Sequence, residues 1–292
     1  MMAQEDLQTM IDNMSATDQK RDAGLVEPDT VTAVKDLAYG PHGVENLTDI
    51  YFPKGTTTAL PTIVSIHGGG FIYGDKELYR FYTMYLASQG FTVVNFNYRL
   101  APKTHYPAPL EDTNNLMNWL AANAATYHVD MNNLFIVGDS AGGQVAEQYA
   151  VMLTNPTYAA KFDFAMAPVK PKAVALNCGV YFTGQNGPAN ENFPYYIGDT
   201  VTPAVAAQFP VEPFITSDFH HAFVMTASDD FLKPLAKPLA DLIAAQGVGV
   251  DYHLYANPDG SKLMHVFHLD QRSPIAKICN DETLAFFRQF VE

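Results

Sequence analysis

One serine sits where local sequence could make it reactive, within Gly138-Asp139-Ser140-Ala141-Gly142. The run before it, Leu134–Val137, is short and apolar, and the pattern after it is helical. The glycines therefore fall where a chain must turn sharply out of a strand and into a helix. Such a turn lifts one hydroxyl above a sheet with a helix N-terminus beneath it, the setting of a nucleophile that attacks an acyl carbon. A tight βα turn with an incidental serine would carry the same five residues. The strand before it and the helix after it favour the nucleophile.

Upstream, His67-Gly68-Gly69-Gly70-Phe71 follows another apolar run, Thr62–Ile66. Three consecutive glycines expose backbone N–H groups with no side chain in the way, a cradle for a phosphate or for the oxyanion of an acyl-transfer intermediate. A phosphate loop would continue with Lys and Ser/Thr at a helix start, and neither occurs here. In the acyl-transfer reading this loop adds one or two N–H donors to that of Ala141, the residue after Ser140.

A serine nucleophile needs a general base, and the base needs an orienting carboxylate. The histidines after Ser140 are 220, 221, 253, 265 and 268. The strand Phe223–Thr226 ends in Ala227-Ser228-Asp229-Asp230-Phe231-Leu232, and a Gly260-bearing loop after Val250–Leu254 reaches Met264-His265-Val266-Phe267-His268. Taken singly, each of these histidines is more often a surface or core residue than a base.

These residues must be held by a scaffold, and the sequence describes one. Thr62–Ile66, Thr92–Phe96, Leu134–Val137, Ala173–Leu176, Phe223–Thr226 and Val250–Leu254 read as strands. Several are apolar throughout, as parallel strands covered on both faces are. Between and after them, Leu78–Gln89, Glu111–Ala125, Gly142–Leu153, Pro234–Gln246 and Asp281–Phe290 read as helices, with Asp112 and Thr113 opening the second and Pro234 in a first turn. Alternation of this kind predicts an α/β fold with a mostly parallel sheet and helices on both faces. Val31–Leu37 and Glu45–Phe52 flank a Gly40–Gly43 turn and predict a hairpin leading into the sheet.

The 292 residues carry 17 Lys+Arg against 31 Asp+Glu, a net charge of −14, with 48% hydrophobic residues. That balance predicts a globular chain with a large core rather than a disordered one. The negative charge and the lack of a basic run argue against nucleic acid and anionic membranes as partners. The acidic N-terminus lacks the pattern of a secretory signal, and two cysteines, Cys178 and Cys279, read as buried thiols of a reducing compartment. A cytoplasmic location is the expectation.

With these motifs in order, the sequence resembles the hormone-sensitive-lipase-like branch of the α/β-hydrolases, microbial carboxylesterases with a His-Gly-Gly-Gly loop. The resemblance covers roughly residues 60–292 and is carried by His67–Phe71, Tyr98-Arg99-Leu100-Ala101-Pro102, Pro107–Asp112, Gly138–Gly143 and the Asp230 and His265 contexts. It implies an α/β-hydrolase fold, with Ser140 as nucleophile, Asp230 as orienting acid, His265 as base, and Gly69, Gly70 and Ala141 as the oxyanion hole. The chain order Ser140, Asp230, His265 is that of this fold. Lys103 and Gln144 stand where the family usually has Glu and often Asn, departures that bear on substrate choice.

The expectation is one domain, 1–292, with cap elements at 1–30 and 179–218, acting on a small-molecule ester as a short-chain serine carboxylesterase. No metal or organic cofactor is required, and a homo-oligomer is compatible. A peptidase or lactonase on the same fold, or a hydrolase-fold protein that binds a small ligand without turning it over, are the alternatives. Tyr181, Phe182, Phe193, Tyr195, Tyr196 and Phe209 either close an apolar pocket or pack the cap onto the domain. Arg99 and Asp112 read as a structural ion pair. His268 is expected to line the pocket or face solvent.

Overall fold

Apolar residues at alternating positions point to opposite faces of a strand, so a strand apolar throughout must be covered twice. In a computed structural model, which describes residues 4–183, 193–198 and 201–292, this is what the strands do. The chain runs α1 (Gln4–Asp22), β1 (Val31–Ala38), β2 (Leu47–Pro53), β3 (Leu60–Ile66), α2 (Lys76–Ser88), β4 (Thr92–Phe96), α3 (Ala108–Asn123), β5 (Val129–Asp139) and α4 (Ala141–Thr154). It continues through α5 (Pro156–Ala159), β6 (Ala173–Asn177), α6 (Phe193–Ile197), α7 (Pro203–Ala206), β7 (His221–Ala227), α8 (Lys233–Ala245), β8 (Val250–Tyr255) and α9 (Pro274–Arg288).

The strands form one sheet in the order β1-β2-β4-β3-β5-β6-β7-β8. β1 and β2 form the expected hairpin, β2 meets β4 antiparallel, and every pairing from β4 onward is parallel. Alternation splits the core. Val64, Leu134, Ile136, Val174 and Val224 face α3, α4 and α8, while Ile63, Phe135, Val137, Ala175 and Phe223 face α2 and α9. The chain therefore has the α/β-hydrolase fold.

Two helix starts differ from the sequence expectation by three residues or more. α3 begins at Ala108, one turn before Asp112 and Thr113, because Pro107 and Pro109 suit a first turn that needs no N–H. Asp112 is instead buried within the helix, where its carboxylate accepts from both the backbone N–H and the guanidinium of Arg99, at 2.8 and 2.9–3.0 Å. α9 begins at Pro274 rather than Asp281, with the Lys277–Asp281 pair on its solvent side.

The carboxyl ends of parallel strands are where such sheets bind ligands. Here the glycine loop leaves β3, Ser140 leaves β5, Asp230 follows β7 and His265 follows β8. Among the described residues, no helix is long and apolar enough to cross a membrane.

Candidate active site

Ser140 is placed by strain. Its φ of +53° lies in a region that side-chain-bearing residues rarely adopt. The turn holds because the Ser140 N–H donates to the Asn177 carbonyl at 3.0 Å and the Val180 N–H donates to the Ser140 carbonyl at 3.1 Å. It closes so tightly that a Cβ on Gly138 would lie 2.2 Å from the Gly142 carbonyl oxygen.

His265 Nε2 lies 2.9 Å from Ser140 Oγ, and its Nδ1 lies 2.8 Å from Asp230 Oδ1. Asp230 Oδ1 also accepts the Leu232 N–H at 2.9 Å, and Oδ2 accepts the Thr226 hydroxyl at 3.0 Å. Burial opposes ionisation of this carboxyl, but its hydrogen bond to His265, the charge of that ring and the Leu232 N–H outweigh it and hold the pKa below the ordinary value. An ionised Asp230 fixes the proton on Nδ1, which leaves the Nε2 lone pair to accept from the serine hydroxyl. That arrangement can take a proton from Ser140 and later return it.

Gly69 and Gly70 border the same cavity as Ser140 and His265. Gly69 has φ +115°, and a Cβ there would fall 1.9 Å from the Tyr73 carbonyl oxygen, so the loop can take this path only with glycine. The Ile72 and Tyr73 N–H groups both donate to the Gly69 carbonyl. Behind the loop, His67 stacks on Tyr98 with ring centroids 4.1 Å apart, and the Tyr98 hydroxyl donates to the His67 carbonyl at 2.6 Å. Burial pushes the His67 imidazole down to about 4, so it serves as a neutral support. Ala141 is the first residue of α4, where the N–H has no partner inside the helix. That donor and the helix dipole favour a negative charge placed beside them.

The cavity measures about 450 Å³. α1 contributes Asn13, Met14, Thr17, Asp18 and Arg21 to its lining, and Val180, Phe231, Leu232, Val266 and Leu269 supply apolar surface. Arg21 is tied to Asp18 and Asp22 at 2.7 Å and donates to the Leu78 carbonyl, which ties α1 to α2 beside the cavity.

Tyr181, Phe182, Tyr195, Tyr196 and Phe209 do not line this cavity. Tyr196 stacks on Phe71 at 3.9 Å and Phe209 packs on Tyr106, which binds their segment to the core. Residues 1–3, 184–192 and 199–200 of the expected caps, and the side chain of Phe193, lie outside the described residues. His268 neither lines the cavity nor meets solvent. It is fully buried.

Two residues at the site were not singled out by their sequence context. Tyr79 and Asp139 line the cavity and hydrogen-bond to each other at 2.7 Å. The available signal was Asp139 itself, a carboxyl adjoining the nucleophile. Cys178, Asp230 and His265 place ligand atoms within 4.8 Å of one another, a set able to hold a metal ion. The Asp230 and His265 atoms are already engaged with each other and with Ser140, and burial pushes the Cys178 thiol up, away from the thiolate a metal needs.

Residues 63–269 match a family described as alpha/beta hydrolase fold. A protein of Acanthamoeba polyphaga mimivirus named as an alpha/beta hydrolase is 32% identical over 137 residues, 47% of this chain and 39% of that one. Versiconal hemiacetal acetate esterase of Dothistroma septosporum is 39% identical over 102 residues, 35% of this chain and 31% of its own length. The chain thus spans well under two thirds of these relatives. Among solved structures, esterase B from Lactobacillus rhamnosis, studied with a tributyrin phosphonate inhibitor, superposes with a TM-score of 0.88 at 25% identity, covering 98% of this chain and 94% of that one.

Proposed function

We propose, from the premise that the chain belongs to the alpha/beta hydrolase family, that it is a serine carboxylesterase acting on short-chain acyl esters. The observation that carries this reading is the unbroken set of hydrogen bonds from Ser140 through His265 to Asp230, 2.9 and 2.8 Å, beside Gly69 and Gly70. The names of the Dothistroma and Lactobacillus proteins, both esterases, support it.

In this reading Ser140 Oγ attacks the ester carbonyl as His265 Nε2 takes its proton, and the carbonyl oxygen becomes an oxyanion held by the N–H groups of Gly69, Gly70 and Ala141. Collapse breaks the bond to the alcohol, which leaves with the proton from His265. Water then adds to the acyl-enzyme with His265 again as base, and the acid departs as Ser140 regains its proton. Asp230 stays ionised and stabilises the imidazolium throughout.

Residues 1–292 act as one domain, with 1–30 and 179–218 as cap elements. A cavity of about 450 Å³, lined in part by α1, suits a small acyl group. The polar residues of α1 suit a soluble ester rather than a lipid surface. Labelling with a fluorophosphonate, alongside hydrolysis of a panel of aryl and alkyl esters with peptide and lactone controls, tests the reading. Stoichiometric modification of Ser140 and turnover of esters are expected. Turnover of peptides alone, or binding without labelling, would reject it.

A further inference from the structure

A second set of hydrogen bonds joins the serine turn to the glycine loop. Tyr79, on α2, donates its hydroxyl to Asp139 Oδ2 at 2.7 Å and accepts the Gly68 N–H at 2.8 Å. Asp139 is the last residue of β5 and directly precedes Ser140; Gly68 directly precedes Gly69. Both side chains are buried, Asp139 at 2% exposure and Tyr79 at 5%. The approach leaves no slack, since a Cβ on Gly68 would lie 2.9 Å from Asp139 Oδ2 and 3.0 Å from the Tyr79 oxygen. One phenol therefore sets the spacing between the two backbone segments that must meet the substrate carbonyl.

We propose that Tyr79 and Asp139 are positioning residues for the oxyanion hole, holding Gly68, and through it the N–H groups of Gly69 and Gly70, at the distance from Ser140 that the tetrahedral intermediate requires. The inference rests on the serine-esterase reading.

A purely structural role accounts poorly for the carboxyl. Among the described residues Asp139 has no salt-bridge partner, and a buried acid without a cation costs stability that an apolar residue of similar shape would not. Burial pushes its pKa up to about 7 against the Tyr79 hydrogen bond, the charge of His265 and that of Arg21. The other charged or titratable groups around it are Asp18 on α1, Tyr82 on α2 and Tyr98 after β4. The proton of the pair stays on Tyr79, whose burial beside Asp139 holds its pKa well above the usual value. When ionised, Asp139 polarises that hydroxyl and tightens its grip on the Gly68 N–H, since hydrogen bonds in series strengthen one another.

The test is steady-state kinetics of four variants on one ester. Removing a single oxyanion donor in a serine protease costs on the order of 100-fold or more in kcat, and a misplaced loop costs a similar factor. Tyr79→Phe and Asp139→Ala should lower kcat about 10- to 100-fold with KM within about threefold, because the interaction is made only in the transition state. Asp139→Asn keeps an acceptor for Tyr79 and should retain kcat within about fivefold. The double variant Tyr79→Phe/Asp139→Ala should fall no further than the worse single, since both break one unit. A rise in KM with kcat intact, an Asn variant as impaired as Ala, or additive losses would overturn the proposal. If Tyr79→Phe does not fold, the Asp139→Ala and Asp139→Asn pair decides alone. Wild-type turnover, lost in Ser140→Ala, reports the esterase chemistry separately. An inactive wild type defeats both readings, while an active wild type matched by Tyr79→Phe defeats only the positioning.

Discussion

His268 meets Tyr82 edge-on, with ring centroids 5.2 Å apart and planes at 85°, although it lies only three residues beyond the histidine that faces Ser140. Val266, with φ +50°, turns the chain between them. His265 is left at the cavity and His268 is carried into the core, where among the described residues neither of its ring nitrogens has a hydrogen-bond partner. Burial first, then the charge of His265, pushes the His268 imidazole down to about 3. This ring is a neutral spacer in the core.

Its burial gives stability a defined pH dependence. Below the unfolded value of about 6.5 the unfolded chain takes up a proton at this position, while the folded chain does not until about 3. Stability from this group is therefore intact above pH 6.5 and falls as pH drops toward 3, by up to roughly 1.4 kcal/mol per unit. His268→Leu carries no such penalty. In urea titrations, the stability of His268→Leu relative to wild type should improve by about 2 kcal/mol between pH 6.5 and 5. Turnover should stay above about a tenth of wild type, as expected of a residue that transfers no proton. A difference independent of pH would contradict the buried neutral ring.

Ser140→Ala and His265→Ala should each lower kcat by several orders of magnitude, on the order of 10⁶ in a well-studied serine protease. The Ser140 side chain faces the cavity, so thermal unfolding of Ser140→Ala should shift little; His265→Ala also strips the buried Asp230 carboxylate of its 2.8 Å partner and should lower Tm measurably. Near-wild-type turnover in either variant would reject the assigned roles.

Asp112→Ala probes the scaffold. The Asp112 carboxylate is fully buried and holds both the guanidinium and the backbone N–H of Arg99. Removing one partner of a buried pair costs up to about 3–5 kcal/mol, and Arg99 would keep only the partly exposed Glu111, 2.8 Å from its guanidinium. A drop in Tm on the order of 10 °C is expected, with the ranking of ester substrates unchanged. A changed ranking at unchanged Tm would place Arg99 in the substrate site instead.

Acyl length probes the cavity. Each buried CH₂ contributes up to about 0.8 kcal/mol until the space is full. Overfilling then costs about 1–3 kcal/mol by analogy with an overpacked core. Across 4-nitrophenyl esters of two to sixteen carbons, kcat/KM should climb from acetyl to butyryl and fall beyond about hexanoyl or octanoyl. A maximum at long chains, or activation at an emulsion surface, would favour a lipase.

Local sequence determined the architecture, because a strand buried on both faces must be apolar along its whole length and a helix covering it must show a stripe. Thr92–Phe96 was legible to the residue, and the Gly-rich segments at Gly68 and Ser140 marked the two turns that open the site. Helix starts were less legible. Asp112 looked like an opening signal because a short carboxylate serves equally to cap a helix and to pair with a buried arginine, and only the position of Arg99 separates the two. The same holds for the histidines. His265 and His268 stand in similar apolar surroundings three residues apart, and which of them approaches Ser140 depends on one left-handed turn at Val266. The aromatics at Tyr196 and Phe209 suit a pocket lining as well as they suit packing, and only their ring contacts with Phe71 and Tyr106 place them in the core. The Tyr79–Asp139 contact joins residues 60 apart in the chain. No local pattern encodes such a contact, because its geometry exists only once α2 has docked on the sheet.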